Sequence, residues 1–196
     1  MFSNIVYFCI MQNMRRNLLE GRHFDLVINR LCQQLIEEYD DFANTCIVGV
    51  QPRGAFLADR IIQNLSQNVD IQPFDYGKMD ITFYRDDFRR GKPQAASSNE
   101  MNFIVENKRV ILVDDVLYTG RTIQAALTAL NHYGRPQSVE LVALVDRRFN
   151  RHLPIQSDYI GITVDVLDEE YVKVEWAAQN GQDSVVLFPS KEASKG

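Results

Sequence analysis

Histidine and cysteine are scarce in this chain, three of each among 196 residues. Cys9, Cys32 and Cys46 are odd in number and show no CxxC or other ligand spacing. That excludes a disulfide framework and a structural zinc site, and reads as buried thiols in a reducing compartment. His23, His132 and His152 are equally without ligand spacing. No apolar run reaches bilayer length: Ile5 to Ile10 has no basic residues before it and no small residues suited to cleavage after it. It is neither a span nor a signal peptide, and the cytoplasm is the default location with no membrane partner. Positive charge is in deficit, with 21 Lys and Arg against 26 Asp and Glu and a net charge of -5. Whole-surface attraction to nucleic acid is thereby excluded, although a local basic patch is not. There is no internal repeat, no GxxxxGKS or GxxxxGKT loop and no GxGxxG turn.

What the chain does have is enough apolar residues, 45% of the total, for one domain with a sizeable core. Residues 1–14 read as a disordered or mis-started leader, with Met11 and Met14 as alternative starts. Residues 15–190 read as a single domain and 191–196 as a frayed tail. Ile28, Leu31, Cys32, Leu35 and Tyr39 recur at helical spacing over Asp25 to Tyr39, ended by Asp40-Asp41. Thr45 to Val50 is an apolar strand, followed by Gln51-Pro52-Arg53-Gly54 and a helix that buries Ala58, Ile61, Ile62 and Leu65. Met79 to Tyr84 alternates and reads as a strand at a sheet edge or exposed on one face. Arg85 to Glu100 has no periodicity, and a loop of that length inside a domain reads as a mobile lid. Val139 to Val145 is a further buried strand. Tyr171 to Trp176 and Ser184 to Phe188 read as an antiparallel hairpin around Asn180-Gly181. Strands alternating with helices predict an α/β doubly wound, mainly parallel sheet, with ligands at the carboxyl ends of its strands.

The chain is organised around VILVDDVLYTGRT at 110 to 122. Four uninterrupted apolar residues make a strand covered on both faces, and the strand is read to end at Asp114-Asp115. Thr119-Gly120-Arg121-Thr122 then opens a helix carrying Ile123, Ala126, Leu127 and Leu130, with Gly134 and Pro136 placed to stop it. Unpaired N–H groups, hydroxyls and the positive end of the helix suit this turn to a phosphate. Two carboxylates beside it would repel a ligand that was anionic throughout. They are read as facing a vicinal diol, which makes a ribose 5-phosphate the fitting ligand.

This stretch resembles the phosphoribosyl pyrophosphate (PRPP) motif of type I phosphoribosyltransferases: an apolar strand, two acids, an apolar residue and a T-G-x-T loop. The wider chain, over residues 15 to 190, is similar to the PyrR family of pyrimidine-operon attenuation regulators and uracil phosphoribosyltransferases. VGVQPRGAFLA at 48 to 58, DITFYRDD at 80 to 87, GRPQSVELVALVDRR at 134 to 148 and LPIQSDYIG at 153 to 161 carry the likeness. It implies a transferase that uses PRPP with Mg2+ to turn a nucleobase, uracil first, into its 5′-monophosphate with release of pyrophosphate. It implies the type I phosphoribosyltransferase fold, UMP as product or ligand, a leader RNA as a further partner, and a homodimer or higher oligomer. PRPP would be held by Arg53, Gly54, Asp114, Asp115, Val116, Leu117, Tyr118, Thr119, Gly120, Arg121 and Thr122, with Asp114, Asp115 and Arg53 catalytic.

The same resemblance implies a lid that contributes Tyr84, Arg85 and Arg89, and a base site at Val145, Asp146, Ile160 and Gly161. No residue is assigned as a direct metal ligand. The chain departs from the family pattern where R-G-H-R-E-L-P is replaced by Arg147 to Pro154. It departs again where the G-K-N-(I/L)-P-T-S hood over the base is replaced by Gly161 to Val166. A different base, or a purely regulatory RNA-binding role, therefore stays open beside the uracil reading. Arg147, Arg148, Arg151 and His152 form a basic segment that faces either solvent or RNA phosphate.

Overall fold

β4 (Arg109–Leu117) and β2 (Thr45–Val50) form the centre of a parallel sheet, and all six residues of β2 are buried. The computed structural model describes residues 15–67, 74–86, 99–167 and 169–195. These residues fall into two compact units, one made of Val27–Val164, the other of the residues up to Leu26 together with those from Asp165 on.

In the first unit, β3 (Asp75–Met79), β2, β4, β5 (Ser138–Arg147) and β6 (Tyr159–Val164) make a five-stranded sheet in the order β3-β2-β4-β5-β6, every pairing parallel. Parallel strands require crossovers, and helices supply those from β2 to β3 and from β4 to β5, on opposite faces. α1 (Gly21–Tyr39) and α2 (Arg53–Leu65) meet each other where the Cys32 thiol points at the Ile61 carbonyl, 3.9 Å away. α2 lies so close on β2 that a Cβ at Gly49 would stand 2.9 Å from the Cα of Ala55 and the Cβ of Ala58. α3 (Arg121–Leu130) covers the opposite face. There Ile123, Ala126, Ala129 and Leu130 pack with Cys46, Val48, Val110, Leu112, Leu141 and Ala143.

In the second unit, β8 (Ser184–Phe188) lies between β1 (Arg16–Glu20) and β7 (Tyr171–Glu175) in an antiparallel sheet, with the helical turn α4 (Ala177–Asn180) between β7 and β8. Phe24 meets Trp176 edge-on at 5.8 Å between ring centroids. The expected hairpin is present. β1 completes its sheet, although only two of its five residues, Leu18 and Leu19, are apolar.

Three expectations need correction. The strand read over Met79 to Tyr84 lies earlier, at Asp75–Met79, and Thr82–Tyr84 is a 3-10 turn. The Asp80 carboxylate accepts from the Thr82 N–H at 2.7 Å, and that bond turns the chain out of the strand. β4 does not end at the acid pair: Asp114, Val116 and Leu117 stay in register with Ala143, Val145 and Asp146 of β5. α1 begins at Gly21 rather than Asp25. The leader, most of the expected lid and Arg89 lie outside the described residues.

Candidate active site

The carboxyl end of β4 and the head of α3 enclose a cavity of about 440 Å³, lined by Arg85, Asp86, Asp114 and the run Val116 to Ile123. Gly120 makes the corner possible. Its φ of 88° is left-handed, and a Cβ there would stand 3.3 Å from Leu153 and Ile155 side-chain atoms. The Thr119 hydroxyl accepts from the Arg121 N–H at 3.4 Å. The first N–H groups of α3 have no carbonyls within the helix to bond, so the turn carries the partial positive charge that an anion finds at a helix start.

Adjacent residues of a strand point to opposite faces, and the acid pair divides accordingly. Asp114 lines the cavity, whereas Asp115 is not among its lining residues. Both are buried, with 6% and 5% exposure. The Asp114 carboxylate accepts the Asp115 N–H at 3.0 Å, and Asp115 Oδ2 is buried without a hydrogen-bond partner. Burial pushes the Asp114 carboxyl well above the ordinary range, and the neighbouring Asp115 charge adds to this; Arg85 and Arg53 pull the other way. Burial raises Asp115 to about 6, against the pull of Arg53. Arg53, the first residue of α2, therefore acts electrostatically on both acids without lining the cavity. Gly54 follows it, and a Cβ at Gly54 would fall 2.4 Å from the Val113 carbonyl and 2.9 Å from the Asp114 Cα.

Other expected residues are distributed around this centre. Arg85 reaches the Thr122 hydroxyl at 3.5 Å, while Tyr84 lies against the His132 ring, 5.5 Å between centroids. Arg121 forms an ion pair with Asp86. Asp86 and Ile123 line the cavity but were given no site role from the sequence, where Asp86 falls in the loop read as a lid and Ile123 on the buried face of the helix. Asp146 and Ile160 line a second depression of about 370 Å³, together with Arg148, Phe149, Arg151, Pro154, Ile155, Gln156 and Ser157. Val145 and Gly161, expected with them, are buried. A Cβ at Gly161 would stand 2.4 Å from the Leu144 carbonyl, so that glycine serves close packing of β6 on β5.

The basic segment divides in the same way. Arg148 and Phe149 are exposed, whereas Arg147 is buried with its guanidinium 3.9 Å from the Tyr118 ring centroid. Arg151 turns inward to the Tyr118 carbonyl and the Asp146 carboxylate. No helix among the described residues is long and apolar enough to cross a membrane.

Comparison with known proteins agrees with this geometry. Residues 14–179 match the phosphoribosyl transferase domain family. The chain is 40% identical over 174 residues to the bifunctional protein PyrR of Desulfosudis oleivorans, covering 88% of this chain and 96% of that one. It is also 40% identical over 186 residues to the PyrR of Streptomyces coelicolor, covering 94% and 95%. Among solved structures, the HGPRT-ase of Leishmania tarentolae in complex with GMP superposes with a TM-score of 0.66 at 15% identity, covering 88% of this chain and 95% of that one. A hypoxanthine phosphoribosyltransferase from Staphylococcus aureus gives 0.58 at 21%, covering 89% and 94%. At those identities the structures bear on the fold alone, and that fold is the type I phosphoribosyltransferase fold. A parallel sheet whose central strand brings one acid of a buried pair to a hydroxyl-lined helix start, in a chain matched along most of its length by these relatives, places the chain in the phosphoribosyltransferase family and, within it, among the PyrR proteins.

Proposed function

We propose that this protein transfers the 5-phosphoribosyl group of PRPP to uracil and also serves as an RNA-binding regulator of pyrimidine genes, the pairing that its bifunctional relatives support. The single observation that carries the transferase reading is the cavity in which Asp114 stands on one side and the Thr119–Thr122 turn on the other. That turn suits the 5-phosphate, and Asp114 suits the ribose hydroxyls, which need acceptors. In the reaction a bond forms from a ring nitrogen of the base to C1 of the ribose as the bond from C1 to the pyrophosphate oxygen breaks. Pyrophosphate leaves and the base nitrogen gives up its proton, yielding UMP.

The transition state carries positive charge on the sugar, and a fixed negative field serves it better than a strong nucleophile would. Asp114 and Asp115 are the source of that field, and a cationic sugar would draw both toward the ionised form. Arg53, whose charge already acts on both acids, would meet the departing negative charge. Magnesium is held typically by one or two carboxylates together with substrate phosphates and water. Asp114, the acid that lines the cavity, fits an ion that arrives on the pyrophosphate and screens its charge. The base would occupy the depression beside Asp146 and Ile160.

The test is to incubate the protein with PRPP, magnesium and each of uracil, hypoxanthine, guanine, adenine, xanthine and orotate, and to follow pyrophosphate release. Release with uracil is expected; release only with a purine rejects the uracil assignment. The Asp114→Asn/Asp115→Asn double variant should fold and lose most turnover, and wild-type rates in it would remove the mechanism. The RNA half draws on the exposed Arg148 and Phe149, whose guanidinium carbon lies 5.6 Å from the ring centroid. A cation beside an exposed ring suits a phosphate next to an unstacked base. Self-association as a homodimer or larger assembly belongs to the same reading, and sedimentation equilibrium checks it.

A further inference from the structure

The segment Arg147 to Ile155 lies between the two cavities and grips the phosphate-side turn at successive points. Arg147 stacks on the Tyr118 ring at 3.9 Å. Arg151 donates one Nη to the Tyr118 carbonyl and the other to the Asp146 carboxylate. The N–H groups of His152 and Leu153 both donate to the Thr119 carbonyl, at 3.0 and 3.3 Å. In a trans peptide the carbonyl and the following N–H point in opposite directions. Pinning the carbonyls of Tyr118 and Thr119 toward the 151–153 segment therefore turns the N–H groups of Thr119 and Gly120 the other way. Both of these residues line the first cavity.

Tyr118 belongs to that first cavity, while Asp146 and Arg151 line the second. A guanidinium is a planar, rigid fork that can hold two acceptors at once, which an ammonium cannot do with the same geometry. We infer that Arg151 is a positioning residue that couples the two sites. By joining Asp146 to the Tyr118 carbonyl, it makes the orientation of the phosphate-binding turn depend on what occupies the base-side depression. The inference rests on the placement of phosphate and base proposed above. A base that engages Asp146 changes the anchor of the guanidinium, and the same guanidinium sets the backbone that meets the phosphate. The coupling must be reciprocal, since each ligand then alters the other's affinity by one common factor.

Ribose 5-phosphate has no pyrophosphate to lose, so it can be titrated with uracil present and no turnover. Calorimetry of ribose 5-phosphate with and without saturating uracil should show tighter binding with the base, by about 5-fold or more. In Arg151→Gln that factor should fall to near one, and Arg151→Lys, which keeps the charge but not the fork, should lose it as well. Millimolar guanidinium added to Arg151→Gln should restore part of it. A merely structural role would lower affinity equally with and without uracil, leaving the factor unchanged. An unchanged factor in both variants overturns the inference. So does a wild-type factor of one, and pyrophosphate release with uracil would then show that the transferase reading survives alone. Failure of the wild type to bind ribose 5-phosphate, with no pyrophosphate release, would remove both.

Discussion

Asp115 holds a carboxylate oxygen in the interior with no hydrogen-bond partner, and burial raises its carboxyl to about 6. The folded protein therefore binds this proton more tightly than the unfolded chain does. The associated stability is fully present below the unfolded value near about 4 and is lost as pH rises through about 6. Above that range the ionised group opposes folding. Asp115→Asn should accordingly stabilise the protein by about 1–2 kcal/mol at pH 7.5, with the gain shrinking to nothing below about pH 4. Urea unfolding of both proteins at several pH values measures this. A gain that grew toward acid pH would show that the carboxylate is better satisfied than its surroundings indicate. The same residue shows where sequence reading stops. The acid pair is conspicuous in the chain, but that one acid faces the cavity and the other lies beneath it follows from β4 continuing to Leu117.

Between elements, the decisive distance is the approach of α2 to β4. A methyl at Gly54 would meet backbone, 2.4 Å from the Val113 carbonyl and 2.9 Å from the Asp114 Cα, and no rotamer change relieves a clash with main chain. Gly54→Ala should destabilise the fold by about 2–3 kcal/mol despite alanine's better helix propensity. It should weaken ribose 5-phosphate binding too, because the displaced strand carries Asp114. Thermal unfolding and calorimetry on the variant check both, and an unaltered melting temperature would contradict the close approach. α2, β2, β5 and the β7–β8 hairpin were legible because each is a long apolar or alternating run with turn residues at its ends. β1 was not, since its position is set by pairing with β8. β3 was displaced because Met79 and Ile81 are both buried, which mimics an alternating strand, while Phe83 is 69% exposed. What ends that strand is a single side-chain bond from Asp80, and periodicity has no means of registering it. β6, over Tyr159–Val164, stood in the sequence as the end of one block of family likeness and the start of a departure from it, not as a strand, yet it is the strand paired beside Asp146.

For the molecule as a whole, a net charge of -5 sets the terms on which RNA can bind. The summed field repels a polyanion, so association must rest on a local surface with few phosphate contacts. Of the basic segment, Arg147 and Arg151 are committed inward to Tyr118, and Arg148 with His152 remains on the exposed side. For single strands the logarithm of the binding constant falls with the logarithm of salt by about 0.7 for each phosphate neutralised. Binding of a pyrimidine-operon leader RNA should therefore show a shallow salt dependence, and Arg148→Gln should reduce its slope by about 0.7. Phe149→Ala should weaken binding by about 1–3 kcal/mol at every salt concentration without changing the slope, because stacking releases no counterions. Gel shifts at several salt concentrations separate the two effects. A slope unaltered by Arg148→Gln would move the RNA surface elsewhere on the molecule, and no shift at low salt would remove the regulatory reading while leaving the transferase chemistry at β4 untouched.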